Sequence, residues 1–218
     1  MYYLIGRPKD ISDLKGELRP PIATLREKVK IVAIDDDGFE YAEVLRRHGF
    51  QINVQNDITD ITAIETYPVV ICDIAGVGRS FRSPYEGAHV IAEIRKRYPT
   101  KYLIAYTGQR FDASYNRFFA LCDASMRKDS ESQEWVEALD AAIKVYVDPA
   151  EMWRKARQVI SPHVTPMRLT QLEDDYVRAV LKNRRPFQNE QKLIDLPNDA
   201  RAVLLGIASN VLFKLIGG

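Results

Sequence analysis

The chain has 218 residues, and its 31 lysines and arginines nearly balance its 30 aspartates and glutamates, leaving a formal net charge of +1. This length fits one domain with an appendage or two small domains. The near-neutral charge gives no whole-chain electrostatic reason to expect a nucleic acid or an acidic membrane surface as a partner. The two cysteines, Cys72 and Cys122, indicate reduced thiols instead of a disulfide framework and predict a cytoplasmic location.

The amino-terminal residues are mixed in character. Residues 1–6 are apolar but have neither a basic leader nor a long apolar segment, so we expect neither a signal peptide nor a membrane span there. Pro20 and Pro21 interrupt the following stretch, and they lack the amide donors that a helix interior or a central strand needs. We therefore interpret residues 1–27 as an N-terminal arm.

A strand and a helix are predicted after the arm. Residues 30–34 form a short β-branched run that is followed directly by the acidic residues 35–37. Apolar residues at helical spacing continue to Gly49, which suits a left-handed helix cap. Residues 50–54 then alternate in polarity, which predicts an edge strand.

The middle of the chain continues the alternation of helix and strand. Asp57 is predicted to open a short helix that carries three isoleucines and ends before Pro68. The apolar run at residues 69–72 predicts a buried strand that ends at Asp73. Residues 74–82 match neither periodicity and are predicted to form a loop that covers the acidic end of the sheet.

A further helix is predicted to begin near Ser83. This serine can cap the helix, Pro84 suits its first position, and Glu86 lies three residues after the cap. The remaining elements predicted in this part of the chain are a strand at 101–106, a helix at 112–121, a brief strand at 124–126 and a helix capped by residues 130–133.

Five strands that alternate with helices over short connections predict an α/β fold, because neighbouring parallel strands require crossover connections. We expect a five-stranded parallel, doubly wound sheet with helices on both faces. Ligands of such sheets bind beyond the carboxyl ends of the strands. The polar residues at or just after these ends are Asp35, Asp36, Asp73, Thr107 and Lys128.

Together these residue types predict a site at which a carboxylate accepts a phosphoryl group. Carboxylates hold a divalent cation, a hydroxyl contacts one phosphoryl oxygen, and an ammonium neutralises the remaining charge. Each residue also has a plainer explanation. Asp37 with Glu40 has the spacing of a helix capping box, Thr107 is a suitable cap, and Lys128 beside Arg127 suits a solvated surface. The ordered occurrence of all the groups favours the shared site.

Over about residues 28–147 the sequence resembles the receiver domain of bacterial two-component response regulators. The resemblance lies in residues 31–36, 71–73, 105–108 and 127–128. It implies a flavodoxin-like receiver fold and a phosphorelay protein that receives a phosphoryl group from a sensor histidine kinase or a phosphotransfer protein. The roles that it implies are phosphoacceptor for Asp73, ligands of Mg²⁺ for Asp35, Asp36, Asp73 and the Ala75 carbonyl, and phosphoryl contacts for Thr107 and Lys128.

Three positions depart from the usual receiver pattern. Asp129 follows the lysine where the family has proline. The segment after Asp73 is longer than the usual compact turn and carries Arg79 and Arg82. Ser125 stands at a position that is commonly aromatic in the family, so the usual aromatic relay is not evident.

Residues 148–218 are predicted to form an all-helical region without a DNA-binding or catalytic motif. Asp148 and Thr165, each followed by proline, are helix-start signals. The last helix, predicted at residues 199–216, has an apolar face over about half of its circumference. It is shorter than a membrane span and contains Arg201 and Lys214, which argues against insertion in a bilayer. The face can pack on the preceding helices, on a different protein or on a second copy, and we favour a homodimer.

The leading functional hypothesis is therefore a phosphoprotein that accepts a phosphoryl group on Asp73 and signals through association of its C-terminal helices. We expect no metabolic enzyme, only Mg²⁺-dependent phosphorylation and dephosphorylation of the chain itself. One alternative is a pseudo-receiver that keeps the fold as a structural adaptor. Another is a Mg²⁺-dependent phosphatase-like enzyme with Asp73 as nucleophile, although a second acid two residues beyond Asp73 is missing from the sequence.

Overall fold

The computed structural model describes residues 7–14, 20–108, 113–210 and 212–213. The contacts within the chain define two compact units. The first consists of residues 21–146, and the second of residues 147–218 together with the described part of residues 1–20. A helix at Ile22–Lys28 joins the first unit, although most of its residues fall within the N-terminal arm predicted from the sequence.

The described residues of the first unit form one five-stranded sheet flanked by helices. Every neighbouring pair of strands is parallel, and the order across the sheet is β2-β1-β3-β4-β5. This is the flavodoxin-like doubly wound order, so the fold class predicted from the sequence is confirmed. The strands are β1 Lys30–Ile34, β2 Gln51–Gln55, β3 Val69–Asp73, β4 Tyr102–Thr107 and β5 Ala124–Arg127.

The register brings the strand ends to one edge of the sheet. Ile34 pairs with Cys72, Asp73 with Tyr106, and Thr107 with Arg127. All five residues of β3 are buried, as expected for a parallel strand that is covered on both faces and therefore reads as a continuous apolar run. The carboxyl ends of β1, β3, β4 and β5 thus meet at a shared edge.

Five α-helices accompany the strands: α1 Ile22–Lys28, α2 Ala42–Arg47, α3 Glu86–Arg97, α4 Asn116–Phe119 and α5 Ser132–Val147. The helix predicted after Asp57 is only the 3-10 turn Ile61–Ile64. Asp60 caps this turn by accepting a hydrogen bond of 2.8 Å from the amide of Thr62. The helix predicted at 112–121 is the 3-10 turn Ala113–Tyr115 followed by α4, and residues 109–112 lie outside the described part of the chain.

Helices form the second unit: α6 Pro149–Ile160, α7 Pro166–Leu181 and α8 Asn198–Ala208, with 3-10 turns at Ile11–Leu14, Ser161–His163 and Glu190–Leu193. Two predicted helix starts are confirmed. Asp148 Oδ1 accepts a hydrogen bond of 2.8 Å from the amide of Ala150, and Thr165 Oγ1 accepts one of 3.2 Å from the amide of Arg168. Among the described residues, the helices lack the length and apolarity needed to cross a bilayer.

The helix predicted at residues 199–216 is interrupted after Ala208, and residues 212–213 are helical again. α8 ends at Ala208, and Asn210 Oδ1 accepts a hydrogen bond of 2.9 Å from the amide of Leu212. This side chain competes with the helical hydrogen bonds at that point, which explains the interruption. Residues 211 and 214–216 of the predicted helix lie outside the described chain.

The described part of the apolar face is covered within the second unit. α8 packs on α6, and Leu204, Ile207 and Ala208 are at most 2% exposed. Of the three partners considered from the sequence, the preceding helices therefore cover this part of the face. Leu212, also on this face, is 2% exposed, whereas Val211 and residues 215–216 lie outside the described chain.

Candidate functional site

Asp35 directly follows β1 and begins a tight acidic turn. Its Oδ1 accepts a hydrogen bond of 3.1 Å from the amide of Asp37, and its carbonyl accepts one of 3.1 Å from Gly38. Gly38 has φ +88, a backbone conformation that favours glycine. The residue before α2 is Tyr41, and no side chain caps this helix, so the capping role predicted for Asp37 is wrong.

Asp35 is also the most unusual acid of the site. It is 1% exposed, and its Oδ2 is buried without a hydrogen-bond partner among the described residues. Burial raises the pKa of Asp35, while Lys128 acts in the opposite direction. A buried carboxylate with one free oxygen is a group that gains from a bound cation.

Asp73 ends β3, and its carboxylate is held on both sides. Oδ1 accepts a hydrogen bond of 3.1 Å from the amide of Ala75, and Oδ2 lies 2.6 Å from Lys128 Nζ. A Cβ at Gly87 would lie 1.8 Å from the Asp73 carbonyl oxygen, so glycine is required for α3 to approach the strand end this closely. Only 5% of the Asp73 side chain is exposed.

Lys128 follows β5 and reaches two of the acids. Its Nζ lies 2.6 Å from Asp73 Oδ2 and 3.5 Å from Asp35 Oδ1. Burial lowers the pKa of Lys128, but the hydrogen bond and charge of Asp73, together with Asp35, outweigh burial and raise it. This lysine is therefore charged and paired in the site, which excludes the solvated position considered from the sequence.

Thr107 lies beside this lysine at the end of β4. Its carbonyl accepts a hydrogen bond of 2.9 Å from the Lys128 amide, and its side chain is half-buried. A Cβ at Gly108 would lie 3.3 Å from Lys128 Cδ, so the backbone after Thr107 passes close to the lysine side chain. The structure thus brings all the strand-end residues predicted for the site to one place. For Ala75 it shows the amide contact to Asp73, and the role of its carbonyl stays a prediction.

Asp35, Asp36 and Asp73 fit a divalent cation. Each offers a carboxylate oxygen, and these oxygens all lie within 4.8 Å of one another. Carboxylate oxygens are the ligands that Mg²⁺ prefers in proteins, and Asp35 Oδ2 is an unused acceptor. Lys128 contributes one positive charge and contacts Asp35 and Asp73. It therefore balances only part of the negative charge of the three carboxylates.

The loop after Asp73 is bound by two acidic side chains that the sequence had predicted to act at helix starts. Asp57 Oδ1 accepts a hydrogen bond of 2.5 Å from the amide of Gly78, and Glu86 Oε2 accepts one of 2.6 Å from the amide of Gly76. The capping box predicted from Ser83 to Glu86 is therefore wrong, because the glutamate carboxylate binds the loop. At the mouth of the site, Arg79 Nη2 lies 3.1 Å from Asp36 Oδ2.

An aromatic cluster supports the lysine side of the site. It consists of Phe39, Tyr41, Tyr106 and Trp135, whose ring centroids lie 5.0 to 5.6 Å apart in contacting pairs. Lys128 Nζ lies 5.0 Å from the centroid of the Tyr106 ring. The Tyr41 hydroxyl lies 2.7 Å from the carbonyl oxygens of both Lys128 and Ser130. Neither tyrosine was predicted from the sequence to belong to the site, although Tyr41 follows the acidic turn closely and Tyr106 directly precedes Thr107.

No protein-family model and no curated protein matches the sequence. Solved structures do match it. A CheY-like response regulator receiver domain protein from Methanospirillum hungatei is 18% identical, with a TM-score of 0.46, and the match covers 54% of this chain and 95% of that one. The chemotaxis protein CheY4 of Vibrio cholerae is 15% identical with a TM-score of 0.44, and the match covers 52% of this chain and 98% of that one. The receiver domain of NtrX from Brucella abortus is 18% identical with a TM-score of 0.43, and the match covers 53% of this chain and 98% of that one.

The chain is thus similar, over about half of its length, to CheY-like receiver domains of response regulators, and the rest of its described residues are helical. This is the class that the sequence resembles. The similarity is distant, and the fold class rests on the strand order of the sheet itself.

Proposed function

We propose that this chain is a receiver-type phosphorelay protein of two-component signalling that accepts a phosphoryl group on Asp73. The observation that supports the proposal most directly is the environment of this carboxylate. It lies at the carboxyl end of β3, 2.6 Å from the Lys128 ammonium, and is grouped with Asp35 and Asp36. A nucleophilic carboxylate, a cation site and a fixed ammonium are the groups that phosphoryl transfer to aspartate requires.

In the proposed reaction, an Asp73 carboxylate oxygen attacks the phosphorus of a phosphohistidine on a sensor histidine kinase or a phosphotransfer protein. A P–O bond forms, the P–N bond breaks, and the departing imidazole keeps the electron pair and takes up a proton. Asp35, Asp36 and Asp73, with the Ala75 carbonyl, would hold Mg²⁺, which neutralises phosphoryl oxygens when bound. Lys128 pairs with the phosphoryl group, and Thr107 donates a hydrogen bond to it.

The proposed chemistry involves the chain itself as substrate. Phosphorylation of Asp73 produces an acyl phosphate, and hydrolysis returns the carboxylate, so no small molecule is converted in repeated cycles. We place this activity in the cytoplasm because Cys72 and Cys122 are free thiols, which is the usual state in a reducing compartment.

The proposal predicts that beryllofluoride with Mg²⁺, a mimic of the phosphoryl group, binds at Asp73. The amide resonances of Ala75, Thr107 and Lys128 are expected to shift in an NMR titration of the wild-type protein. Asp73→Asn, which keeps the shape but removes the anionic acceptor, is expected to show no such shifts. A wild-type spectrum that does not change, together with no phosphoryl gain in intact mass after incubation with acetyl phosphate, would instead indicate the pseudo-receiver adaptor.

We further propose that the output is protein association through the second unit, in the form of a homodimer. Its support is the exposure of three large apolar side chains. Among the described residues, the exposed large hydrophobics are Met167, Leu181 and Ile194, with 61%, 37% and 73% of their surface accessible, and all of them belong to this unit. An association surface on this unit is expected to use these exposed apolar side chains.

Phosphorylation is accordingly expected to double the molecular mass measured by light scattering. Met167→Gln combined with Ile194→Gln removes apolar surface and is expected to leave the phosphorylated protein monomeric. Asp73→Asn is the control that cannot be phosphorylated and is expected to remain monomeric throughout. Equal masses for the phosphorylated and unphosphorylated wild type would contradict the dimer while leaving phosphorylation of Asp73 intact.

A further inference from the structure

Arg79 contacts one of the proposed metal ligands from the loop that follows Asp73. Its Nη2 lies 3.1 Å from Asp36 Oδ2, with 70% of the arginine side chain and 30% of the aspartate side chain exposed. Lys128 pairs with Asp73 and Asp35. The third acid, Asp36, pairs with Arg79 instead. The two basic residues divide the negative charge of the site between them.

The backbone of the loop holds Arg79 beside Asp36. Gly76 has φ +80, and a Cβ there would lie 2.2 Å from Asp36 Oδ1, so a side chain at this position would collide with the carboxylate. The amide of Gly76 is bound by Glu86, and that of Gly78 by Asp57, at 2.6 and 2.5 Å. The chain before Arg79 is therefore anchored at two points next to Asp36.

This placement makes Arg79 a competitor for the cation site. A divalent cation coordinated by Asp36 needs a carboxylate oxygen at about 2.0–2.1 Å for Mg²⁺, and the guanidinium contacts an oxygen of the same carboxylate. Even if each cation used a different oxygen, their repulsion across a few ångströms would oppose metal binding.

We propose that Arg79 is a tethered counter-ion that competes with the divalent cation for Asp36 and thereby sets the metal affinity of the site. The inference rests on the proposed function, since that function supplies the metal. It adds a residue that determines how much Mg²⁺ is needed before Asp73 can be phosphorylated. Arg79 keeps Asp36 neutralised when the metal concentration is low.

The test is a calorimetric titration of the full chain with MgCl₂ at low ionic strength. Arg79→Gln is expected to bind Mg²⁺ roughly three- to tenfold more tightly than the wild type, and Arg79→Lys is expected to restore most of the wild-type affinity. The difference between Arg79→Gln and the wild type should shrink at high salt, because the competing pair is largely exposed.

Arg82→Gln is the matched control. It removes the same charge from the same loop, and Arg82 forms no ion pair with a carboxylate within the described ranges. In an Asp36→Asn background, Arg79→Gln is expected to have a much smaller effect on Mg²⁺ affinity, because the carboxylate that holds the guanidinium beside the metal is gone.

An Arg79→Gln affinity equal to that of the wild type, or a gain no larger than that of Arg82→Gln, would overturn the inference. If Asp73 still acquires a phosphoryl group from acetyl phosphate in that case, the proposed function stands alone. No Mg²⁺ binding by any variant would overturn both. Binding seen only after Arg79 is replaced would support the competition.

Discussion

Replacing Lys128 with methionine is expected to slow phosphorylation of Asp73 by acetyl phosphate about 100-fold, the usual cost of losing one fixed group that stabilises transition-state charge. Lys128 Nζ lies 2.6 Å from Asp73 Oδ2 and carries a raised pKa, so the ammonium is already charged and in position before the donor arrives. Methionine has a similar length but no charge and no hydrogen-bond donor. The rate is measured as the gain of phosphoryl mass over time in the presence of Mg²⁺.

The neighbouring residue provides a control for this substitution. Arg127 is largely exposed and pairs with Asp129 at 2.5 Å, so Arg127→Met removes the same charge one residue away from the site. It is expected to phosphorylate at close to the wild-type rate. Similar time courses for Lys128→Met and the wild type would show that the lysine does not contribute to the transfer.

Asp35→Asn is expected to make the metal-free protein more stable. It is also expected to abolish the stabilisation of the folded state by Mg²⁺. Asp35 is 1% exposed and has one oxygen without a hydrogen-bond partner. Burial raises its pKa, and Lys128 only partly offsets this. The charged form is therefore disfavoured in the folded state, and we expect asparagine to raise the free energy of unfolding at neutral pH by about 1–2 kcal/mol.

The sign of the pH dependence follows from the raised pKa. Protonation of Asp35 stabilises the folded state, and this contribution is present in full below the unfolded value of 3.8 and is lost as the pH rises through the higher folded value. The stability difference between Asp35→Asn and the wild type should therefore narrow as the pH falls through the folded-state pKa. Urea unfolding at a series of pH values measures this difference.

Addition of Mg²⁺ separates the metal effect from the charge effect. At 100 times its dissociation constant, a ligand that binds only the folded state stabilises it by about 2.7 kcal/mol, and this gain is expected for the wild type but not for Asp35→Asn. Asp37→Asn, in the same turn but exposed, is the matched control and should respond as the wild type does. An Asp35→Asn protein that is less stable than the wild type, or equally stabilised by Mg²⁺, would argue against the metal site.

The strands were predictable from the sequence because the residue pattern that marks each of them is local. Residues 30–34 and 69–72 are β-branched or apolar runs that end in acids, and parallel pairing brings such ends to one edge. The caps at Asp148 and Thr165 were likewise predictable, since each acts on an amide two or three residues away. Contacts between residues so close in sequence do not depend on the rest of the fold.

The loop beside the site could not be predicted in the same way. Glu86 has the spacing of a capping box, but its carboxylate binds an amide ten residues earlier, at Gly76. Asp57 has the character of a helix start, but it binds the amide of Gly78, 21 residues later. Asp57 Oδ1 also accepts a hydrogen bond of 2.7 Å from the amide of Ile58, so its local contact is kept and the distant one is added. The contact between Arg79 and Asp36 depends on this loop geometry and is invisible in the sequence.

The packing of the last helix shows the same limit. Its apolar face was evident from the sequence, but the choice among three possible partners required the positions of the other helices. The break at Asn210 also follows from a side-chain contact, with the amide of Leu212. Helical periodicity alone does not detect it.

Trp135 provides an intrinsic fluorescent probe next to the proposed phosphoryl site. Its ring lies 5.4 Å from that of Tyr106, which in turn lies 5.0 Å from Lys128 Nζ. The only other tryptophan, Trp153, is stacked on Tyr176 in the second unit. With Trp153 exchanged for phenylalanine, the remaining indole fluorescence comes from a position two ring contacts away from the ammonium. We expect its emission spectrum to change when the site is occupied, so that binding can be followed in real time without an attached dye.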